Sequence, residues 1–222
     1  MFKNKKAFTL AEVLITLGII GVVAALSTPA LIQHAANAKV GPALSRGISI
    51  VSQSLQAFMH ENDSDTLLGA DVVTAQKPTE LFTEIETKYA RMKKDGAELI
   101  EICTDSFGTD CSIAASGYTV FLLNDKSALY IPTADCNPAV ATDGCVFYFL
   151  PIGWTNKKFP TIGEDAFELA YDNKGNVKVY GLDYGDKWED VCDDENIKNF
   201  APGKRHKSCG GRIVAKGFKK DY

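Results

Sequence analysis

One charge in a long apolar segment constrains this chain more than any other feature. Residues 8–32 form a run of 25 residues with a single ionisable side chain, Glu12. As an α-helix this run would be roughly 37 Å long, enough to cross the hydrocarbon core of a bilayer. The charged residues before it are all lysines, Lys3, Lys5 and Lys6. Positive charge on this side of the segment places the N-terminus in the cytoplasm. We therefore expect a single-pass protein whose remaining residues are extracytoplasmic.

The six cysteines agree with that placement. All of them follow the apolar segment, and no two form a C-x-x-C pair. An even number of cysteines in an oxidising compartment indicates disulfides rather than a metal site, and buried free thiols are the alternative. We expect neighbours in the sequence to pair, because each bridge would close a loop with few apolar residues to hold it. The expected pairs are Cys103–Cys111, Cys136–Cys145 and Cys192–Cys209.

Two kinds of leader fit the apolar segment, and Glu12 distinguishes between them. An ordinary signal peptide would be cut at a small-residue site such as Ala36-Asn37-Ala38 and would release a soluble domain. A carboxylate at bilayer depth is costly, and a segment that is discarded gains nothing from carrying one. A helix that is retained, with a partner for its carboxylate, accounts for the charge better.

The sequence of residues 5–15, KKAFTLAEVLI, resembles the class III leader of type IV pilins and type II secretion pseudopilins. In that family a membrane-embedded aspartyl peptidase, the prepilin peptidase, cuts just before the aromatic residue and methylates the new amino group. The resemblance implies cleavage between Ala7 and Phe8, where the family usually has Gly in place of Ala7. It also implies that the apolar helix stays in the bacterial inner membrane until the subunit joins a pilus or pseudopilus.

The same resemblance suggests a role for Glu12 in assembly. In a staggered stack of helices, Glu12 of one chain can meet the Phe8 ammonium of its neighbour, and two charges that are costly alone become tolerable together. The alternative is a carboxylate at the membrane edge without a partner. The implied partners are further copies and other pilins or pseudopilins, the prepilin peptidase and an inner-membrane assembly platform. Loss of residues 1–7 would lower Lys+Arg from 24 to 21 against 28 Asp+Glu, a net charge of −7.

The periodicity of the remaining residues predicts an α+β fold in which one long helix packs on an antiparallel sheet. An apolar stripe with spacings of 4, 4, 3, 4 and 3 continues the first helix: Val40, Leu44, Ile48, Val51, Leu55 and Phe58. Kinks are expected at Pro29, where the related pilins bend, and at Pro42. A second helix follows Pro78, carries Met92 on its stripe and ends at 93–96. After it the period becomes strand-like: 118–123 with 128–132 and 167–171 with 177–182 are predicted to form two hairpins, and the compact apolar run at 145–150 is predicted to be a strand.

These patterns divide the chain into four parts. We assign a leader to residues 1–7, a transmembrane and polymerisation helix to 8–32, its amphipathic continuation to 33–60 and an extracytoplasmic head to 61–222.

Two charged tracts near the end of the chain suggest ligands. Seven carboxylates between Asp183 and Glu195 suit calcium, although a solvated acidic surface is the simpler interpretation, since their spacing fits no complete calcium loop. No other cofactor is expected. A basic tract from Lys204 to Lys220 suggests single-stranded DNA, but a chain with a net charge of −4 favours local neutralisation of the acidic residues instead. Nucleic acid is therefore not an expected partner.

No catalytic motif is present, and the three histidines, His34, His60 and His206, are far apart in the sequence. The sequence therefore predicts a structural subunit of a type IV pilus or type II secretion pseudopilus rather than an enzyme. The alternative from another class is a secreted or membrane-anchored binding domain, such as an adhesin, with an ordinary signal peptide.

Overall fold

A computed structural model describes residues 9–89, 92–95, 117–140, 144–151, 161–193 and 207–220. The chain divides into two compact units, Met1–Ala38 and Lys39–Tyr222. The boundary falls inside a single helix, α1, which comprises the 52 residues Leu10–Glu61. The helical assignment continues across Pro29 and Pro42, so neither proline ends the helix. The kinks at these two residues stay predictions.

Within the second unit, α1 buries one face. The stripe predicted from the sequence forms this face, and all of its members except the half-buried Ile48 are at most 1% exposed. Two glycines on the helix allow other elements to approach closely. A Cβ atom on Gly47 would lie 2.5 Å from the ring of Phe149, and a Cβ atom on Gly41 would overlap the carbonyl oxygen of Phe218. The C-terminal segment therefore packs directly against the backbone of α1.

The described strands form a six-stranded antiparallel sheet in sequence order, which contributes to the core together with α1. Each strand pairs antiparallel with the next one along the chain. The strands are β1 (Met92–Asp95), β2 (Tyr118–Leu123), β3 (Ala128–Pro132), β4 (Cys145–Leu150), β5 (Phe167–Tyr171) and β6 (Val177–Val179).

The α+β fold predicted from the sequence is confirmed, and β2 to β5 have the predicted bounds. The last strand is shorter than predicted because the chain turns after Val179. Gly181 there adopts a φ of +87°, a left-handed conformation that a side chain disfavours and a strand cannot continue through.

The prediction for the second helix was wrong at its end. Helix α4 comprises Pro78–Tyr89, and Met92 lies instead in β1, opposite Leu123 of β2. The apolar spacing of the helix extends to Met92 by coincidence, and pairing with β2 decides its conformation. Four short helices complete the described fold: α2 (Leu67–Ala70), α3 (Val72–Ala75), α5 (Trp188–Val191) and α6 (Cys209–Ala215).

Both faces of the sheet are buried. On one face, Phe121, Phe147 and Phe167 join the core that also contains α1 and α4, where the ring of Phe82 lies 5.9 Å from that of Phe121. The other face carries a second apolar cluster that includes Tyr130 and Tyr148. Nearly continuous apolar strands such as CVFYFL are typical of sheets covered on both sides.

Candidate functional site

The apolar segment of α1, Leu10–Thr28, is the most unusual surface of the described residues. It is 19 residues long, and none of it is buried. Large side chains such as Leu10 and Leu26 are 80% and 77% exposed. Water disfavours an apolar surface of this size, and a helix of this length and composition can cross a bilayer.

The hydroxyl groups of this segment donate hydrogen bonds to backbone carbonyl oxygens of the same helix. Thr16 Oγ1 donates to the Glu12 carbonyl oxygen (2.9 Å), Ser27 Oγ to that of Val23 (2.8 Å) and Thr28 Oγ1 to that of Ala24 (2.6 Å). Hydrogen bonds of this kind let hydroxyl groups lie in a hydrocarbon environment without an unmet donor. Glu12 is then the one side chain of the segment whose charge needs a partner.

Glu12 and Thr9 form a reciprocal cap at the start of α1. The backbone N–H and the hydroxyl of Thr9 each donate to Glu12 Oε2 at 2.8 Å. In return, the Glu12 N–H donates to Thr9 Oγ1 at 3.3 Å. This is a capping box, in which a Thr and a Glu three residues later satisfy free donors at the helix N-terminus. The carboxylate is therefore held in one place, at the first turn of the helix.

Sequence reasoning missed the role of Thr9, although the signal was present. The spacing Thr-x-x-Glu before an apolar run predicts a capping box without any reference to a family. The predicted cleavage residues, Ala7 and Phe8, lie outside the described residues.

Two of the three expected disulfides are present, and both stabilise loops of the head. Cys136 is bonded to Cys145 and Cys192 to Cys209. The Cys136 N–H donates to the Gln76 carbonyl oxygen at 2.8 Å, which ties the first loop to the segment after α3. The second loop is held by the buried Arg212, whose Nη1 donates to the Cys192 carbonyl oxygen at 2.8 Å. Cys103 and Cys111 lie outside the described residues.

Two carboxylates of the acidic tract accept hydrogen bonds from residues of the neighbouring turn. Asp183 Oδ2 accepts a hydrogen bond from the Val179 N–H (2.8 Å), and Asp186 Oδ2 accepts one from the Tyr180 hydroxyl (2.9 Å). Among the described residues, no three His, Cys, Asp or Glu side chains lie together as a metal ion would require. Asp194 and Glu195, at the end of the tract, lie outside the described residues, and calcium stays a prediction.

The basic tract contacts several parts of the described chain. Lys207 Nζ lies 3.5 Å from Glu168 Oε2 and 3.9 Å from the ring centroid of Tyr180. Lys220 Nζ lies 3.8 Å from Glu164 Oε1, and its side chain is only 3% exposed. Two members of the tract also contact residues of the acidic tract: Arg212 Nη1 donates to the Cys192 carbonyl oxygen, and Lys216 Nζ lies 5.6 Å from the ring centroid of Trp188. Residues 204–206 lie outside the described residues, and local neutralisation of the acidic residues stays a prediction.

One comparison with known proteins gives a match, and it covers the candidate site. Residues 2–28 match the family model of the prokaryotic N-terminal methylation motif, the prepilin-type cleavage and methylation motif of type IV pilins and pseudopilins. The matched range includes Ala7, Phe8 and Glu12. No curated protein and no solved structure matches the chain. Together, the motif and the exposed apolar helix support anchoring in a membrane by one N-terminal helix.

Proposed function

We propose that this chain is a structural subunit of a type IV pilus or a type II secretion pseudopilus. The precursor is inserted once into the bacterial inner membrane with its N-terminus in the cytoplasm, and prepilin peptidase cuts it between Ala7 and Phe8. The subunit then polymerises through its apolar helix, on an inner-membrane assembly platform. The match of residues 2–28 to the methylation motif carries this proposal.

The physical properties of α1 support polymerisation rather than simple anchoring. A helix that only anchors the head gains nothing from a carboxylate at its membrane-embedded end. The capping box leaves Glu12 Oε2 within 2.8 Å of the Thr9 N–H, next to the position where cleavage creates the Phe8 ammonium. A carboxylate fixed at this place can pair with an ammonium of an adjoining chain, so that leaving the lipid and joining the stack are favoured together.

The mature N-terminus tests the proposal directly. Protein purified from membrane fractions is expected to begin at Phe8, with one added methyl group on its α-amino nitrogen, in an intact-mass measurement. A chain that begins near residue 39 would contradict the proposal and support a secreted binding domain. The alanine at position 7 is the informative control, because Ala7→Gly restores the usual family residue and is expected to be processed at least as completely.

The proposal gives the chain no chemical step of its own. Its function is to bury apolar helices against one another and to present the head along a fibre. In the part of the chain that the structure describes, the four described cysteines form two disulfides, so their sulfur atoms are not available as nucleophiles.

A further inference from the structure

A shallow groove of about 260 Å³ lies beside the connection between β5 and β6. One wall is apolar and consists of Pro138, Ala139 and Val140, within the loop that the Cys136–Cys145 bridge closes. The opposite wall is charged and consists of Asp172, Lys174 and Lys178. We call this the turn groove.

The net charge of the turn groove is positive, because Lys174 and Lys178 outnumber Asp172. Asp172 Oδ1 accepts hydrogen bonds from the Lys174 N–H (2.9 Å) and the Asn176 N–H (3.0 Å), which shape the turn itself. Lys178 Nζ lies 3.8 Å from Asp172 Oδ2, near the limit of an ion pair, and Lys174 is exposed. An approaching carboxylate would therefore meet two ammonium groups.

A matching negative surface lies at the other end of β6. The residues from Asp183 to Asp190, which we call the acidic turn, contain four carboxylates and one lysine. Asp183, Asp186, Glu189 and Asp190 are all in exposed positions. The acidic turn and the turn groove thus have opposite charges and are separated by one edge strand.

Contacts with α1 place these two surfaces at different positions along the helix. Next to the turn groove, the Gly175 carbonyl oxygen accepts a hydrogen bond from Ser52 Oγ (3.0 Å), near the end of α1. Helix α5 of the acidic turn packs on α6, and Phe218 after α6 abuts Gly41. Residues 41 and 52 are about 16 Å apart along a helix axis.

We propose that the turn groove of one head receives the acidic turn of the next head in the fibre. This inference rests on the proposed function, because it needs copies of the chain stacked along one direction. A contact between two different, complementary surfaces is a head-to-tail contact, and repetition of such a contact without closure builds an open helical filament. Complementary charge of this kind fixes the register of neighbours more than it adds affinity.

Charge reversal in the full-length chain tests the contact, with pelletable filament from the producing bacterium as the readout. Reversal of two surface charges, Lys174→Glu with Lys178→Glu, is expected to lower the filament yield about tenfold, and Glu189→Lys alone about threefold. The three substitutions combined are expected to recover part of the lost yield, because Glu189→Lys places one positive charge opposite the reversed groove. Lys126→Glu is the matched control for Lys174→Glu. It makes the same single charge change on the exposed β2–β3 turn, next to Asp125, which pairs with Arg46 of α1 at 3.3 Å, and it should leave the yield unchanged.

Each other outcome contradicts the proposal. Wild-type yield in the Lys174→Glu/Lys178→Glu variant, an equal loss in Lys126→Glu, or loss without rescue by Glu189→Lys would show that another surface or another occupant is involved. The single variant Lys174→Glu is the control for misfolding, because Lys174 is exposed and its substitution should not disturb the fold. Thermal melting and mobility on a non-reducing gel measure whether each variant is folded. Failure of the proposed function looks different, because the wild-type chain would then form no filament and would not begin at Phe8.

Discussion

At the scale of single residues, the first turn of α1 combines two functions in one carboxylate. Glu12 caps its own helix through Thr9, and in the proposed filament it neutralises the Phe8 ammonium of a neighbour. The first function needs only a hydrogen-bond acceptor, whereas the second needs a negative charge. A substitution that keeps the acceptor and removes the charge therefore separates them.

Glu12→Gln is expected to keep the helix capped but to lower filament yield by about tenfold or more, because glutamine also serves in a capping box but cannot neutralise an ammonium. The measurement is the pelletable polymer from cells, together with the amount of processed subunit in membranes. Thr9→Ala is the matched control, since it removes the cap and keeps the charge, and it should assemble better than Glu12→Gln. If the order is reversed, the capping box rather than the charge determines assembly.

Buried tyrosines give the head a specific sensitivity to alkali. Burial raises the pKa of Tyr171, and burial together with the negative charge of Glu168 raises the pKa of Tyr148. A raised pKa in the folded state means that unfolding releases protons above the ordinary tyrosine pKa of about 10. The stability that these groups contribute is therefore complete below about pH 10 and is lost as the pH rises further.

The predicted result is a Tm that falls as the pH increases from about 9 to about 11, with a smaller fall in Tyr171→Phe, which has no hydroxyl to ionise. Differential scanning calorimetry of the full-length protein in detergent measures both. Lysines also titrate in this range, but equally in the two proteins, so the difference between the profiles isolates Tyr171. Superimposable profiles would contradict the prediction.

At the scale of elements, glycine determines how closely the C-terminal segment approaches α1. Gly41 has no room for a side chain because the Phe218 carbonyl oxygen occupies the position of a Cβ atom. Phe218 itself has a φ of +60°, which turns the chain after α6 towards the helix. The approach of the chain after α6 to α1 therefore depends on a backbone contact, whereas α6 itself buries Ile213 in the core.

Gly41→Ala is expected to destabilise the head by about 1–2 kcal/mol, since the overlap with Phe218 exceeds the gain in helix propensity. Urea unfolding of the full-length protein in detergent, followed by tryptophan fluorescence, measures this difference. Gly117→Ala is the control, because a Cβ atom there would meet no atom within 4 Å, and it should be nearly neutral. Equal stability of the two variants would mean that the C-terminal segment shifts at little cost.

The two described disulfides should contribute similarly despite their different surroundings. The bridges close loops with sequence separations of 9 and 17 residues, for which chain entropy predicts about 2–3 kcal/mol each. Cys136→Ser/Cys145→Ser is also expected to lower the yield of filament if the turn groove is part of an interface, because it loosens the wall at Pro138. Cys192→Ser/Cys209→Ser serves for comparison, and thermal melting under non-reducing conditions measures the loss of stability.

Elements whose pattern is local could be predicted from the sequence, and elements fixed by distant contacts could not. The stripe from Val40 to Phe58 and the short apolar segments of β2 to β5 identify their structures without tertiary information. In contrast, β1 depends on pairing with β2, and the end of β6 depends on the turn at Gly181. The turn groove was not predicted for the same reason, because its walls come from residues 138–140 and 172–178.

At the scale of the whole molecule, the two units have separate physical requirements. Every buried apolar residue of the described chain lies at position 40 or beyond, and the side chains of Leu10–Thr28 are all exposed. The second unit therefore contains a complete core, and the first contains a helix suited only to lipid or to other helices.

We expect a chain truncated to residues 39–222 to be soluble, monomeric and cooperatively folded, because it keeps the whole core and both described disulfides. Size-exclusion chromatography and thermal melting without detergent measure this. The full-length chain is expected to require detergent under the same conditions. A truncated chain without a melting transition would show that residues before 39 contribute to the stability of the head.

The two outer strands of the sheet have a consequence for crowded heads. Among the described residues these strands are Met92–Asp95 and Val177–Val179, and each includes lysine, a residue that discourages strand-to-strand pairing between molecules. Fibres bring identical domains to concentrations at which exposed strand edges invite amyloid-like fusion. In the proposed filament, short, charged outer strands would keep neighbouring domains distinct.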